Sequence, residues 1–183
     1  MSLNTLVHDH LTMYRVVRRD WANPVDATFS QHSDRDNRWN TPDFPALYCC
    51  CSESVARAIV RDIFRVTGAD LSDLQDAARP QLVEIHWTGD PVDMITARGL
   101  VAAGFSEDYP TGSDHSQTRE VARRWHYGGA AGILCRSASL ARLGFRNWIG
   151  DHPPWSELAI YAENAPVRPS VQKRRDDLDW LQS

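Results

Sequence analysis

Seven consecutive uncharged residues, Pro45-Ala46-Leu47-Tyr48-Cys49-Cys50-Cys51, set the tightest limit on what this chain can become. A continuous apolar run of this length reads as a strand covered on both faces, and so as a central strand of a sheet. Ser52 follows at once as a good N-cap, and Glu53 sits where a helix N-terminus favours negative charge. Val55, Ile59, Ile63 and Val66 then recur at helical spacing, and Gly68 can end the helix. A central strand running into a capped helix is the nucleus around which the other segments must arrange.

Those segments mix both periods. Leu3, Leu6, Val7 and Leu11 suggest a short amphipathic helix over 3–11, and Met13 to Val17 a strand of good β-formers. Residues 19–37 are polar and broken by Asn23-Pro24, which predicts a loop. A short helix is expected over 71–78, a strand with one wet face over 82–87 and a helical segment over 95–103. A longer helix is expected over 114–127, capped by Ser113 or Asp114, with Val121, Ala122 and Trp125 on its apolar side and Gly128-Gly129 as its stop. Strands are expected over 130–135, 145–149 and 158–161. Residues 1–165 then make one domain, and the polar stretch 166–183 reads as a tail or a partner-contacting extension. The order predicts an α+β fold around a mixed or antiparallel sheet. The regular alternation of a doubly wound fold is absent, and so is a Gly-x-Gly-x-x-Gly turn.

Composition excludes several function classes. With 183 residues, 42% apolar and 24% charged, the chain can bury one real core. A net charge of −4 argues against direct nucleic-acid binding. No apolar run is long enough to span a bilayer, and the first residues lack the pattern of a secretory signal. Cys49, Cys50 and Cys51 are consecutive, so neighbouring side chains on a strand face opposite ways and cannot share a metal. They read as small apolar residues in a reducing, cytoplasmic setting. The seven histidines show no ligand spacing, and no metal is expected.

The chemistry-bearing residues are concentrated in two motifs. In Asn37-Arg38-Trp39-Asn40 a guanidinium, an indole and a carboxamide share one polar turn, and Tyr48 follows Arg38 by ten residues. A guanidinium pairs two-pronged with phosphate, and flat side chains cover a heterocycle, so the set suits an anionic ligand with aromatic rings. A solvated cation beside a core anchor would look the same. In the second motif, Gly132-Ile133-Leu134-Cys135-Arg136-Ser137-Ala138, a short apolar strand ends in a serine among small residues. Such a hydroxyl can bond a ligand amide or sugar, or simply cap a turn.

Taken as an ordered set, Tyr14-Arg15-Val16-Val17, Arg38-Trp39-Asn40, Leu47-Tyr48, Gln117-Thr118, Ser137-Ala138 and Asn147 resemble the RES-domain family over about residues 13–162. The resemblance implies a fold similar to ADP-ribosylating toxins. It also implies the toxin role in a type II toxin–antitoxin module, with an Xre-like antitoxin carrying a helix-turn-helix domain as partner. The implied activity is consumption of NAD+ as substrate, with phosphate as the usual acceptor and nicotinamide released. DNA would be reached only through the antitoxin, and a homodimer within a larger complex is expected. On this resemblance Arg15 and Arg38 hold the pyrophosphate or incoming phosphate, Tyr48 stacks on the nicotinamide or its ribose, and Ser137 bonds that ribose. Asn147 is a further match. Against these stand an ion pair at the core edge for Arg15 and a buried strand aromatic for Tyr48.

One departure matters. Cleaving the nicotinamide–ribose bond builds positive charge on the ribose, which a carboxylate can balance. The family's glutamate falls here on Ile59, or on Ala58 after a one-residue shift. Glu53 and Asp62 lie about a turn or more away. The chain is then a detoxified variant, the preferred reading at this point, or a natural degenerate member, or a protein in which another carboxylate has taken over. A protein ADP-ribosyltransferase and a non-catalytic subunit that pairs with the antitoxin are the competing functions.

Overall fold

In the computed structural model, residues 5, 11–32, 37–110, 115–145 and 153–182 are described. Among them, seven strands form one sheet: β1 (Leu11–Arg18), β2 (Leu47–Cys50), β3 (Pro80–Trp87), β4 (Val92–Met94), β5 (Gly132–Arg136), β6 (Ser156–Ile160) and β7 (Ser170–Arg175). Their spatial order is β4-β5-β6-β2-β1-β3-β7. β4 and β5 run parallel, and the other neighbours are antiparallel. The apolar run around β2 is thus the middle of the sheet, as its lack of a wet face requires. The helices are α1 (Phe29–His32), α2 (Glu53–Thr67), α3 (Ala97–Ala102), α4 (Ser116–Tyr127), α5 (Ala138–Arg142) and α6 (Asp179–Gln182). The expected α+β class with a mixed sheet is the observed one.

Strand alternation sorts the core onto two faces. One face carries Met13, Leu47, Cys49, Val83, Leu134 and Leu158 in a single buried cluster. On the other, Tyr48, Ile133, Cys135 and Ala159 pack beneath α4, while Cys50 and Leu82 pack beneath α2 and α6. Cys49 and Cys50 therefore serve opposite faces, and all four thiols are free.

α2 begins and ends as its sequence dictates. Ser52 Oγ accepts from Val55 N at 3.3 Å, and Gly68, at φ 68°, donates to Phe64 O at 2.8 Å. Its inner face differs from the expected stripe, however. Val55, Ala56 and Val60 are buried, but Ile63 is 43% and Val66 68% exposed. Asp62 turns inward instead and takes Arg142 Nε of α5 at 2.6 Å and Arg65 at 2.9 Å. Hydrophobic spacing alone cannot show that the facing helix offers a guanidinium.

Other expectations need correction. The segment 166–183 is not a tail: β7 pairs with β3, and α6 buries Trp180 completely. Arg175 pairs with Glu53 at 2.8 Å, and Arg57 Nε donates to Trp180 O at 2.8 Å. β7 is an edge strand rich in Arg and Lys, the usual protection of an open edge, and this gives it the look of a tail in sequence. Residues 71–78 form two 3-10 turns rather than a helix. β4 and α5 were not expected. Thr5 bridges Val92 and Leu11 opens β1, so neither belongs to the helix expected over 3–11, whose other residues lie outside those described. The cap expected at Ser113 or Asp114 and most of the strand expected over 145–149 also lie outside them.

Trp180→Ala is expected to cost about 3–5 kcal/mol by removing a fully buried indole, measured by urea unfolding. A loss below about 1 kcal/mol would mean that α6 does not seal the sheet.

Candidate active site

The turn at 37–40 is built from beneath by the sheet. Tyr48 Oη, on β2, accepts from Trp39 N at 2.9 Å and donates to Asn40 Oδ1 at 2.9 Å. Tyr161 Oη donates to Trp39 O at 2.9 Å, and the Trp39 indole N–H reaches Cys135 Sγ at 3.1 Å. Asn37 and Asn40 both donate to Ser30 O, at 3.1 and 3.0 Å. Trp39 is fully buried, so it is the core anchor of the turn. With the turn held on both sides, Arg38 is left half-buried at the surface of the fold. Its Nε donates to His115 Nε2 at 3.1 Å, so that histidine nitrogen carries no proton in this arrangement.

Tyr48 therefore braces the turn through its hydroxyl. Burial pushes its phenol well above the ordinary range, opposed by the Trp39 N–H and Arg38, so it remains a neutral donor.

The second part lies at one end of β2, β6 and β5. Glu157 on β6 faces Cys50 on β2 and Cys135 on β5, which puts its side chain on the face that carries Tyr48. Ser137 leaves β5 and caps α5: its Oγ accepts from Leu140 N at 3.3 Å and donates to Glu157 Oε1 at 2.6 Å. Ser137 is 0% exposed, whereas Glu157 is partly exposed. Burial raises the Glu157 carboxyl above the usual glutamate range. The Ser137 hydroxyl, Arg38, Arg142 and the Ala138 N–H oppose that shift.

The structure thus brings Arg38, Tyr48 and Ser137 into one neighbourhood. Arg15 is elsewhere. It alternates with Met13 and Val17 on the opposite face, pairs with Val83, and sets its guanidinium 5.7 Å from the Trp21 ring centroid. Burial lowers its pKa, with Cys49 and Asp26 as electrostatic neighbours. Asn147 lies outside the described residues. Sequence reasoning missed Glu157 and His115. A lone charge beside the apolar run Leu158-Ala159-Ile160-Tyr161 was the available signal for Glu157.

The helix that should carry the family's glutamate offers no substitute. Ala58 is buried, and Ile59 packs in the cluster that includes Leu140. Glu53 and Asp62 are held by arginines, as described above. Beyond the turn, a polar groove of about 550 Å³ runs past Asn37, Asn40, Thr41, Ser116 and Arg119. Among the described residues no group of three or more His, Cys, Asp or Glu side chains is arranged to hold a metal.

The raised Glu157 carboxyl has a stability consequence with a definite sign. A carboxyl raised by folding costs nothing below its unfolded value, and destabilises the fold as pH climbs through the folded one. Glu157→Gln is expected to melt above the parent at pH 7.5, with the gap closing toward pH 4, by calorimetry. A variant melting well below the parent at pH 7.5 would show that the ionised carboxylate is a net support of the fold.

Comparison with known proteins agrees with this architecture. No curated protein matches the chain. The fold is similar to a chain in the crystal structure of the M. tuberculosis MbcT–MbcA toxin–antitoxin complex. The TM-score is 0.72 at 18% identity, covering 93% of this chain and 86% of that one. The model of the RES domain matches residues 12–179, from the second residue of β1 to the first of α6. The chain belongs to the RES-domain family.

Proposed function

We propose that this protein is the toxin of a toxin–antitoxin module and that it cleaves the nicotinamide–ribose bond of NAD+, with phosphate as acceptor. The observation that carries the reading is the convergence of Arg38, on its braced turn, with the Ser137–Glu157 pair at one end of the central strands. RES-domain membership supplies the class of reaction. The similar fold in the MbcT–MbcA complex supports an antitoxin as partner, which the family resemblance makes an Xre-like protein with a helix-turn-helix domain. A toxin homodimer inside that complex belongs to the same proposal.

The chemistry suits what the residues can do. Nicotinamide in NAD+ is already a cationic leaving group, so no acid is needed at its nitrogen. Catalysis then requires holding the dinucleotide and balancing the charge that develops on the ribose. Arg38 is an accessible guanidinium able to take a pyrophosphate or phosphate oxygen pair. Its Nε bond to His115, with Tyr109 also beside the guanidinium, fixes its direction. Tyr48 keeps the turn in place by the bonds given above, and its ring packs against the core beneath.

A non-catalytic subunit remains the second reading, favoured by the apolar residues at 58 and 59. It differs in one measurable respect. Chain purified free of antitoxin, incubated with NAD+ and phosphate, is expected to release nicotinamide and ADP-ribose carrying phosphate on C1′ of the former nicotinamide ribose, resolved by chromatography and mass spectrometry. Arg38→Ala should lower kcat/KM by about 100-fold, the scale for loss of a charged contact to phosphate in a water-poor site. Intact NAD+ after long incubation would sink the enzyme reading. ADP-ribose on cell proteins, without the phosphorylated product, would make the chain a protein-modifying transferase.

A further inference from the structure

We propose that Glu157 is the catalytic carboxylate of this protein, facing the ribose on which positive charge develops, and that Ser137 is its positioning residue. The proposal rests on the NAD+-cleaving reading and adds a residue and a division of labour to it.

Three observations carry it. First, Ser137 is wholly enclosed, and both of its hydrogen-bonding roles are engaged within the protein, accepting from Leu140 N and donating to Glu157. A hydroxyl so placed acts on its carboxylate neighbour, and Glu157 is the partly exposed member of the pair. Second, the register of β6 between β2 and β5 fixes Glu157 on the face of Tyr48, within electrostatic reach of Arg38. A cation for phosphate and an anion for the ribose therefore lie within electrostatic reach of each other on one side of the sheet. Third, the carboxylates of α2 are committed elsewhere: Asp62 to Arg142 and Arg65, Glu53 to Arg175.

The step balances without a proton transfer. The C1′–N bond breaks, and its electron pair goes to the pyridinium nitrogen, which leaves as neutral nicotinamide. C1′ becomes cationic opposite the Glu157 carboxylate. A phosphate oxygen then bonds to C1′ with its own lone pair. Glu157 remains ionised throughout, so activity should need its deprotonated form.

The charged groups facing Glu157 are Arg38 from the turn before β2 and Arg142 from α5. The thiols of Cys50, Cys51 and Cys135 and the phenols of Tyr48 and Tyr109 also lie within reach, all pushed upward by burial and so neutral near pH 7. His115 accepts from Arg38 Nε, and the variants below separate its influence from that of Glu157.

The test compares the full chain with Glu157→Gln, Glu157→Asp and Ser137→Ala, reading NAD+ turnover, NAD+ affinity by calorimetry, and kcat/KM against pH. Glu157→Gln should lose about 100-fold or more in kcat, with NAD+ affinity within about threefold of the parent, since uniform binding is untouched. Glu157→Asp should fall between the two. The parent should lose activity toward acid pH with a midpoint above the ordinary glutamate value, and residual Glu157→Gln activity should lack that limb. In Ser137→Ala the limb should move to higher pH, because the lost hydroxyl favoured the ionised form. An active parent whose Glu157→Gln variant turns over NAD+ within about threefold overturns this proposal and spares the proposed function. A slow Glu157→Gln variant that keeps the acid limb also overturns it, as does a Ser137→Ala limb that stays in place. A parent that leaves NAD+ intact overturns both.

Discussion

The pairing of β6 between β2 and β5 is the constraint on which the site depends. Cys50, Glu157 and Cys135 stand opposite one another across three strands, and Tyr48 lies two residues back along β2 on the same face. A slip of one residue would send Glu157 into the cluster of Leu47, Leu134 and Leu158. No charge can sit there without a partner, so the register and the placing of the carboxylate enforce each other. The neighbouring pairing of Gly132 with Ile160 is tight. A Cβ on Gly132 would come within 2.7 Å of Ala159 O, so a side chain there would push β5 off β6.

Beside those strand ends the turn that carries Arg38 is held by buried and part-buried polar contacts. Cys135 takes the Trp39 indole, Tyr48 and Tyr161 hold the Trp39 backbone, and the resulting turn carries Arg38 out to His115. Most of these bonds link segments far apart in sequence. The site therefore exists only in the folded chain, and its rigidity comes from the sheet beneath it. A site held this way loses little order when it binds a ligand.

Much of the fold was legible in sequence because local rules and tertiary packing agreed there. The uncharged run before Ser52 became the middle strand, and Ser52 and Gly68 bound α2 as their chemistry requires. Legibility failed where a partner decided the outcome. Ile63 and Val66 followed helical spacing yet stayed exposed, because Asp62 met Arg142. The polar C-terminal stretch hid an edge strand and the anchoring Trp180. In the site, sequence pattern named Arg38, Tyr48 and Ser137, which the fold draws together. It also named Arg15, which strand alternation turns to the opposite face. The roles of the named residues shifted as well: two of the three act on other residues of the site before they can act on a ligand. The absence of glutamate at 58 and 59 favoured a detoxified or degenerate chain on sequence alone. With Glu157 beside Ser137, a relocated carboxylate becomes the better supported reading. Nothing in sequence spacing could show that β5 and β6 meet there.

A crystal structure of the chain with a non-cleavable NAD+ analogue tests the convergence most directly. The pyrophosphate is expected on Arg38 and the nicotinamide ribose beside the Glu157 carboxylate, with the Ser137–Glu157 bond intact. An analogue bound on the Arg15 face, or with its ribose away from Glu157, would contradict it.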